Sequence, residues 1–256
     1  MQTEQPKFKF YATLLDSFTS YLKSDAIWDR YWGFSENPPH TPDEFKEKQF
    51  QSLIDTINRV PFDSEAADKG TAFNEVIDCM IENRKSETVQ VERLLSDTAN
   101  GRQVLVGLRA TYNNRQFDFP ISICREFAAY YKGALTQQRV ESILHTCFGD
   151  VLVYGVIDEL MPLSVHDIKT TGNYYVGKFK DHWQHIVYPY CLMRNGSDVR
   201  LFEYNITDFK NTYTESYTFV PERDIPILTD HCEEFIRFLN DNRNLITDKK
   251  IFAEDA

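Results

Sequence analysis

DVLVYGVID (Asp150–Asp158), ELMP (Glu159–Pro162) and LSVHDIKT (Leu163–Thr170) form the stretch on which the reading of this chain turns. Residues 150–158 are β-rich and end on an acid, 159–162 have turn composition, and 163–170 read as a second short strand, so together they predict a hairpin. Side chains alternate faces along a strand. Asp167 and Lys169 therefore project to one side, about 7 Å apart, while Ile168 points into the opposite layer and leaves its carbonyl free.

That arrangement has a chemistry. Hard Mg²⁺ or Mn²⁺ takes oxygen ligands, and Asp158, Asp167 and the Ile168 carbonyl supply them. Lys169 then stands beside an attacking water. The metal polarises a phosphoryl oxygen and acidifies water, while the lysine orients or deprotonates the nucleophile and offsets developing negative charge. Each piece also has a plain structural reading. Aspartates at strand ends cap turns, and a lysine beside acids forms an ion pair. Gln184 and Tyr188 are four residues apart and share a helix face, the bland version being an interfacial helix with a half-buried tyrosine. Pro189 predicts a kink in that helix, with residues 190–193 continuing it.

Taken together, GxxD (Gly155–Asp158), D-x-K-T (Asp167–Thr170) and QxxxY (Gln184–Tyr188) resemble the PD-(D/E)xK nuclease superfamily in its RecB-like branch. FYATLLD (Phe10–Asp16) resembles the opening "S-x-S-x-L" helix of that branch, and GTAFNE (Gly70–Glu75) its GxxxH motif. The resemblance runs from about residue 8 to about residue 240. It implies an α/β fold with a restriction-endonuclease-like core, a mixed sheet flanked by helices. It implies a Mg²⁺- or Mn²⁺-dependent DNA nuclease with Asp158, Asp167 and Lys169 as catalytic residues. Gln184 and Tyr188 would face the site and the nucleic-acid backbone, with Thr170, Lys178 and Lys180 as further DNA contacts. The sequence departs from the family at Asn74, where a metal-ligating histidine is usual. An amide oxygen can bind Mg²⁺, more weakly than a carboxylate. Phe73, Val76, Ile77 and Met80 mark the buried stripe of this helix, which places Asn74 at its edge and Asp78 one turn later, and favours Asn74 over Glu75. Glu75 replaces it only if the helix is rotated, and Glu141 is a third candidate.

His166, His182 and His185 surround the same region without the spacing of a zinc site. The five cysteines are scattered, odd in number and free of any CxxC pair, which predicts reduced thiols. The same spacing excludes the four-cysteine iron–sulfur clamp of some RecB-like relatives, so no iron–sulfur cluster is expected.

At 256 residues and 42% hydrophobic, the chain suits one large domain, with residues 1–100 mainly helical and 101–256 holding the sheet. Helices are expected near 10–24, 42–58, 70–96 and 121–132. A hairpin is expected across 103–119 with its turn at Asn113-Asn114. Central strands at 137–146, 150–158 and 163–170 lead to the Gln184 helix, then to strands at 199–209 and 214–220. A last amphipathic helix from about Asp224 carries Leu228, Cys232, Phe235 and Leu239 on one stripe. There is no apolar h-region at the start and no membrane-length apolar run, which predicts a soluble protein of the cytoplasm, in a bacterium or phage-infected host.

The formal net charge of −11 sits poorly with phosphate binding. Either charges are segregated, as Lys169, Lys178, Lys180, His182, His185 and Arg194 suggest, or a partner supplies the grip. The expected function is an exonuclease in recombination, repair or phage DNA processing, beside a recombination or annealing protein or a helicase, with oligomeric state open. The competing reading is a nucleic-acid-binding or assembly protein that keeps the fold but has lost cleavage. Asn74 and the acidic charge speak for it, and the intact Asp158, Asp167, Lys169 set against it.

Overall fold

The computed structural model describes residues 5–253. In chain order the first elements are β1 (Phe8–Tyr11), α1 (Ala12–Leu22), α2 (Ser24–Trp32), α3 (Pro42–Ile57) and α4 (Glu65–Glu82). Then come β2 (Gln90–Asp97), β3 (Gln103–Tyr112), β4 (Arg115–Pro120), α5 (Ile121–Tyr130), β5 (Leu135–Thr146), β6 (Gly149–Met161) and β7 (Ser164–Thr170). The last are α6 (Gln184–Arg194), β8 (Leu201–Thr207), β9 (Thr212–Thr218) and α7 (Pro221–Asp241). The architecture is α/β, with a six-stranded mixed sheet flanked by helices and a separate three-stranded sheet.

β6 is the spine of the larger sheet. β5 pairs antiparallel along one whole edge of it, from Thr146↔Gly149 to Leu135↔Leu160. The other edge is shared. β1 runs parallel beside Val151–Tyr154, and β7 pairs antiparallel only from Glu159↔His166 to Met161↔Ser164. Residues 155–158 therefore have no strand partner on that edge. β7 has turned to β8, with which it pairs in parallel from Ser164↔Leu201 to Thr170↔Thr207, and β9 closes the sheet. α6 makes the crossover from β7 to β8, as a parallel pair requires.

One face of this sheet carries the main core, where Phe10, Val151, Val153, Val187, Phe202, Phe235 and Leu239 are buried beneath α1, α6 and α7. The expected stripe of α7, Leu228, Cys232, Phe235 and Leu239, is fully buried. The other face carries a second core under α4 and α5, built from Phe73, Val76, Phe119, Phe127 and Tyr131 and joined to β7 through Ile168. The small sheet is the meander β2-β3-β4. Its turn falls at Asn113-Asn114, both with positive φ (48° and 61°), the conformation that lets a two-residue hairpin follow the strand twist.

Three expected elements change. The helix expected over 70–96 is α4, which begins after Ser64, whose side chain accepts from the Ala67 amide, and stops where Asn83 turns left-handed at φ 52°. Residues 90–97 instead form the largely exposed edge strand β2, whose pairing with β3 outweighs the helical preference of its Glu, Arg and Leu residues. The helix expected from residue 10 is preceded by β1 and followed by a separate α2, because Phe8 and Phe10 alternate into the core and pair with β6. The turn expected at 159–162 is displaced toward Pro162, since β6 runs on to Met161. α6 continues through Pro189 to Arg194. All five cysteines are free thiols. No helix among the described residues is long and apolar enough to cross a membrane.

Candidate functional site

The site forms where β6 lacks its second partner. Asp158 Oδ2 accepts the Ile168 amide of β7 at 2.9 Å, so a carboxylate stands in for the missing backbone carbonyl between the diverging strands. The same oxygen accepts from Asn74 Nδ2 on α4 at 3.1 Å. Asp167, the first residue of β7 beyond its pairing with β6, has a side chain only 3% exposed, with the Lys169 ammonium 2.8 Å from its Oδ2. Lys169 Nζ also donates to Gln184 Oε1 at 2.8 Å, and Gln184 Nε2 donates to Asp167 Oδ1. Aspartate, lysine and glutamine thus close a ring in which each fixes the other two.

Gln184 is held there by its helix. It is the first residue of α6, and the Trp183 amide just before it donates to Asp16 Oδ1 of α1 at 2.6 Å. One turn later Tyr188 accepts from Gln184 Nε2 at 3.3 Å, with its ring lying over Gly155. A Cβ at Gly155 would stand 2.2 Å from the ring's Cε1, so the glycine of GVID is the residue that lets α6 approach β6. Gly70 plays a milder part on the other side, where an added Cβ would meet Thr170 Oγ1 at 3.3 Å.

The structure thus gathers Asn74, Asp158, Asp167, the Ile168 backbone, Lys169, Gln184 and Tyr188, with Thr170 at the rim. It does not gather Glu75 or Glu141. Glu75 turns away to the Arg84 guanidinium at 2.6 Å, as the helical phase requires. Glu141 lies opposite Tyr154, well along β5 from Asp158, exposed and bound to Arg139 at 2.8 Å. Lys178 donates to Thr171 Oγ1 and to the Asn173 carbonyl at 2.6 Å, and Lys180 is exposed on the same loop. The histidines have structural partners. His166 is buried between Ser164 (2.7 Å) and Asn205 (3.0 Å), His185 stacks on Tyr217, and His182 pairs with Asp16 at 3.2 Å.

Three acids escaped the sequence reading. Asp78, one turn beyond Asn74, is 1% exposed with Oδ1 unpartnered, and Glu159 is wholly buried with neither oxygen partnered. Asp16 anchors α6. The helical spacing of Asn74 and Asp78 was a usable signal for the first. Glu159 looked like a turn residue, and only the length of β6 shows otherwise.

The electrostatics follow from crowding acids around one cation. Burial, then the neighbouring Asp167, pushes the Asp158 carboxyl up to about 8. Burial, then Asp158, pushes Glu159 up to about 10, and burial raises Asp78 to about 6. Burial works against the Lys169 charge, but Asp167, Asp158 and Asp16 outweigh it and its pKa rises. Lys169 is therefore an ammonium in the resting site, a donor and counter-charge and not a base. The oxygen donors are hard: two carboxylates, the Ile168 carbonyl and the Asn74 amide, whose Oδ1 is buried without a partner. No three His, Cys, Asp or Glu side chains among the described residues are grouped so as to hold a metal by themselves.

No protein-family model matches the chain, and no curated protein matches it. A solved structure described as that of SSO0001 aligns with TM-score 0.35 and 12% identity, over 47% of this chain and 55% of that one.

Proposed function

We propose that this chain is a metal-dependent DNA nuclease of the RecB-like PD-(D/E)xK kind. The observation that carries the reading is the closed Asp167–Lys169–Gln184 ring set beside the desolvated Asp158 carboxyl at the open edge of β6. A structural ion pair needs no second acid with a raised pKa at its side, whereas a site for a divalent cation does.

Asp158, Asp167, the Ile168 carbonyl and Asn74 Oδ1 would hold Mg²⁺ or Mn²⁺. The unpartnered Asn74 oxygen and the hard donor set fit such an ion. Bound there, the cation would polarise the phosphoryl oxygen and lower the pKa of a water. Lys169, already protonated, holds the nucleophilic water by donation and offsets charge gathering on the phosphorus oxygens. Gln184 keeps the ammonium in place, and Tyr188 fixes Gln184. Thr170, Lys178 and Lys180 lie along β7 and the loop after it, where a phosphate backbone would run. The biological setting we favour is exonucleolytic processing in recombination, repair or phage DNA metabolism, beside an annealing protein or helicase.

A binding protein that keeps this fold without cleavage is the second reading, favoured by Asn74 and by the net charge of −11. One digestion separates the two. End-labelled linear and closed circular DNA are incubated with Mg²⁺, Mn²⁺ or EDTA, using wild type and Lys169→Ala. The expected result is metal-dependent loss of linear DNA, reduced at least about 10²-fold in the variant. Equal cleavage by the folded variant sinks the role of Lys169. No cleavage by wild type in any condition favours the binding protein.

A further inference from the structure

Two adjoining clefts of 280 Å³ and 260 Å³ run along α1, and both are lined by Thr19, Lys23, Asp181 and His182. The first is walled by one face of α1 (Asp16, Thr19, Ser20, Lys23), by Arg30 and Tyr31 of α2, and by Tyr175 and Lys178 of the β7–α6 loop. Lys180 lines the second.

Two rings stand open in the first cleft: Tyr31 is 60% exposed and Tyr175 is 40% exposed. Tyr175 is joined to a neighbouring cation, since Arg30 Nη1 donates to its hydroxyl at 3.3 Å. Lys23 is spoken for by Asp181 at 3.0 Å, and Asp16 by His182 and the Trp183 amide. Arg30, Lys178 and Lys180 have no carboxylate partner among the described residues. The cleft therefore offers unneutralised cations next to exposed aromatic faces, although the chain as a whole is strongly acidic.

The cleft also adjoins the candidate site. Asp16 on its floor is among the groups that raise the pKa of Lys169. Lys178 on its wall donates to Thr171, the residue after Thr170. Cations without partners fit phosphates, and open rings fit unstacked bases, which a duplex does not present. A cleft of this size admits a single strand and is too small for a double helix.

We infer that the cleft between α1, α2 and the β7–α6 loop takes a single polynucleotide strand, with Arg30 and Lys178 on phosphates, Tyr31 and Tyr175 stacked on bases, and Lys180 on the phosphates that run on into the adjoining cleft. This rests on the nuclease reading for its direction toward Lys169 but is testable without cleavage. Fluorescence anisotropy of labelled oligo-dT and of a blunt hairpin duplex is measured in EDTA at low salt, with the full chain. The strand is expected to bind more tightly than the duplex. Tyr31→Ala and Tyr175→Ala should each weaken strand binding about tenfold, as loss of a stacked base does. Tyr31→Leu and Tyr175→Leu keep bulk without the ring and should weaken it similarly. Arg30→Gln should lower the salt slope by roughly 0.7. Equal affinity for strand and duplex, no binding of either, or unchanged binding by the tyrosine variants overturns the assignment. Strand binding without cleavage in Mg²⁺ leaves this cleft standing and removes the nuclease; cleavage with no strand preference does the reverse.

Discussion

Asp158→Asn isolates the electrostatic character of the site. Both hydrogen bonds to Asp158, from Ile168 N and Asn74 Nδ2, fall on one oxygen, so an asparagine oxygen can keep them while the negative charge is removed. In the folded chain the Asp158 carboxyl titrates at about 8, against 3.8 for the ordinary group. Because the native state holds this proton more tightly than the unfolded chain, the favourable contribution is present at low pH and is lost as pH rises from about 4 to about 8. The whole shift corresponds to about 6 kcal/mol, at about 1.4 kcal/mol per unit. Glu159 beside it also holds its proton to high pH, so the two carboxyls are coupled and a smaller loss, about 3 kcal/mol, is expected. Thermal unfolding in EDTA from pH 5 to 9, followed by circular dichroism, measures it as wild type minus variant, which cancels the other titrating groups. At pH 5, about one unit above the unfolded pKa, the difference should be only about a quarter of its full value. By pH 9 the variant should melt roughly 6–12 °C higher. Mn²⁺ should close most of that gap at alkaline pH, stabilising wild type by about 2.7 kcal/mol at a hundredfold excess over Kd and the variant far less. A difference that is flat with pH in EDTA refutes the raised carboxyl, and a Mn²⁺ effect equal in both proteins refutes its role as ligand.

Two further substitutions probe the parts around it. Gly155→Ala drives a Cβ into the Tyr188 ring and should cost about 1–3 kcal/mol in thermal or urea unfolding, with Gly155→Ala/Tyr188→Leu recovering part of the loss in a double-mutant cycle. No recovery places the strain elsewhere. Asn74→His should tighten Mn²⁺ binding in titration calorimetry, and Asn74→Ala should weaken it by roughly tenfold. Unchanged affinity in both removes Asn74 from the metal's surroundings.

The sequence was most legible where local pattern and tertiary pairing agree. The asparagine turn at 113–114, the stripe of α7 and the two central strands all come from short-range rules of turn chemistry and periodicity. Residues 90–97 failed because their composition suits a helix and only β3 makes them a strand. The core of the site was legible as residue types at a spacing, Asp158, Asp167, Lys169 and Gln184 among them. What could not be read was which acids are unpaid by a partner. Glu75 and Glu141 look as eligible as Asp78 and Glu159 on paper, yet the first two find Arg84 and Arg139 at the surface while the last two are buried without a cation. Burial by elements distant in sequence decides between them.

The open edge of β6 links fold to chemistry. Had β7 stayed paired to β6 beyond Glu159, the Ile168 amide would face a carbonyl and the Asp158 side chain would be free to reach solvent. Because β7 turns to β8 instead, the carboxyl is drawn in to satisfy that amide. Once inside, it meets Asp167 across a gap that Lys169 alone must neutralise. Glu159 and Asp78 behind it add acid without adding a base. A single ammonium cannot compensate that many carboxyls, so each remaining charge is either suppressed by protonation or matched by an added cation. Divalent metal binding as proposed would then be coupled to proton release at this site, and metal affinity should climb as pH rises toward 8.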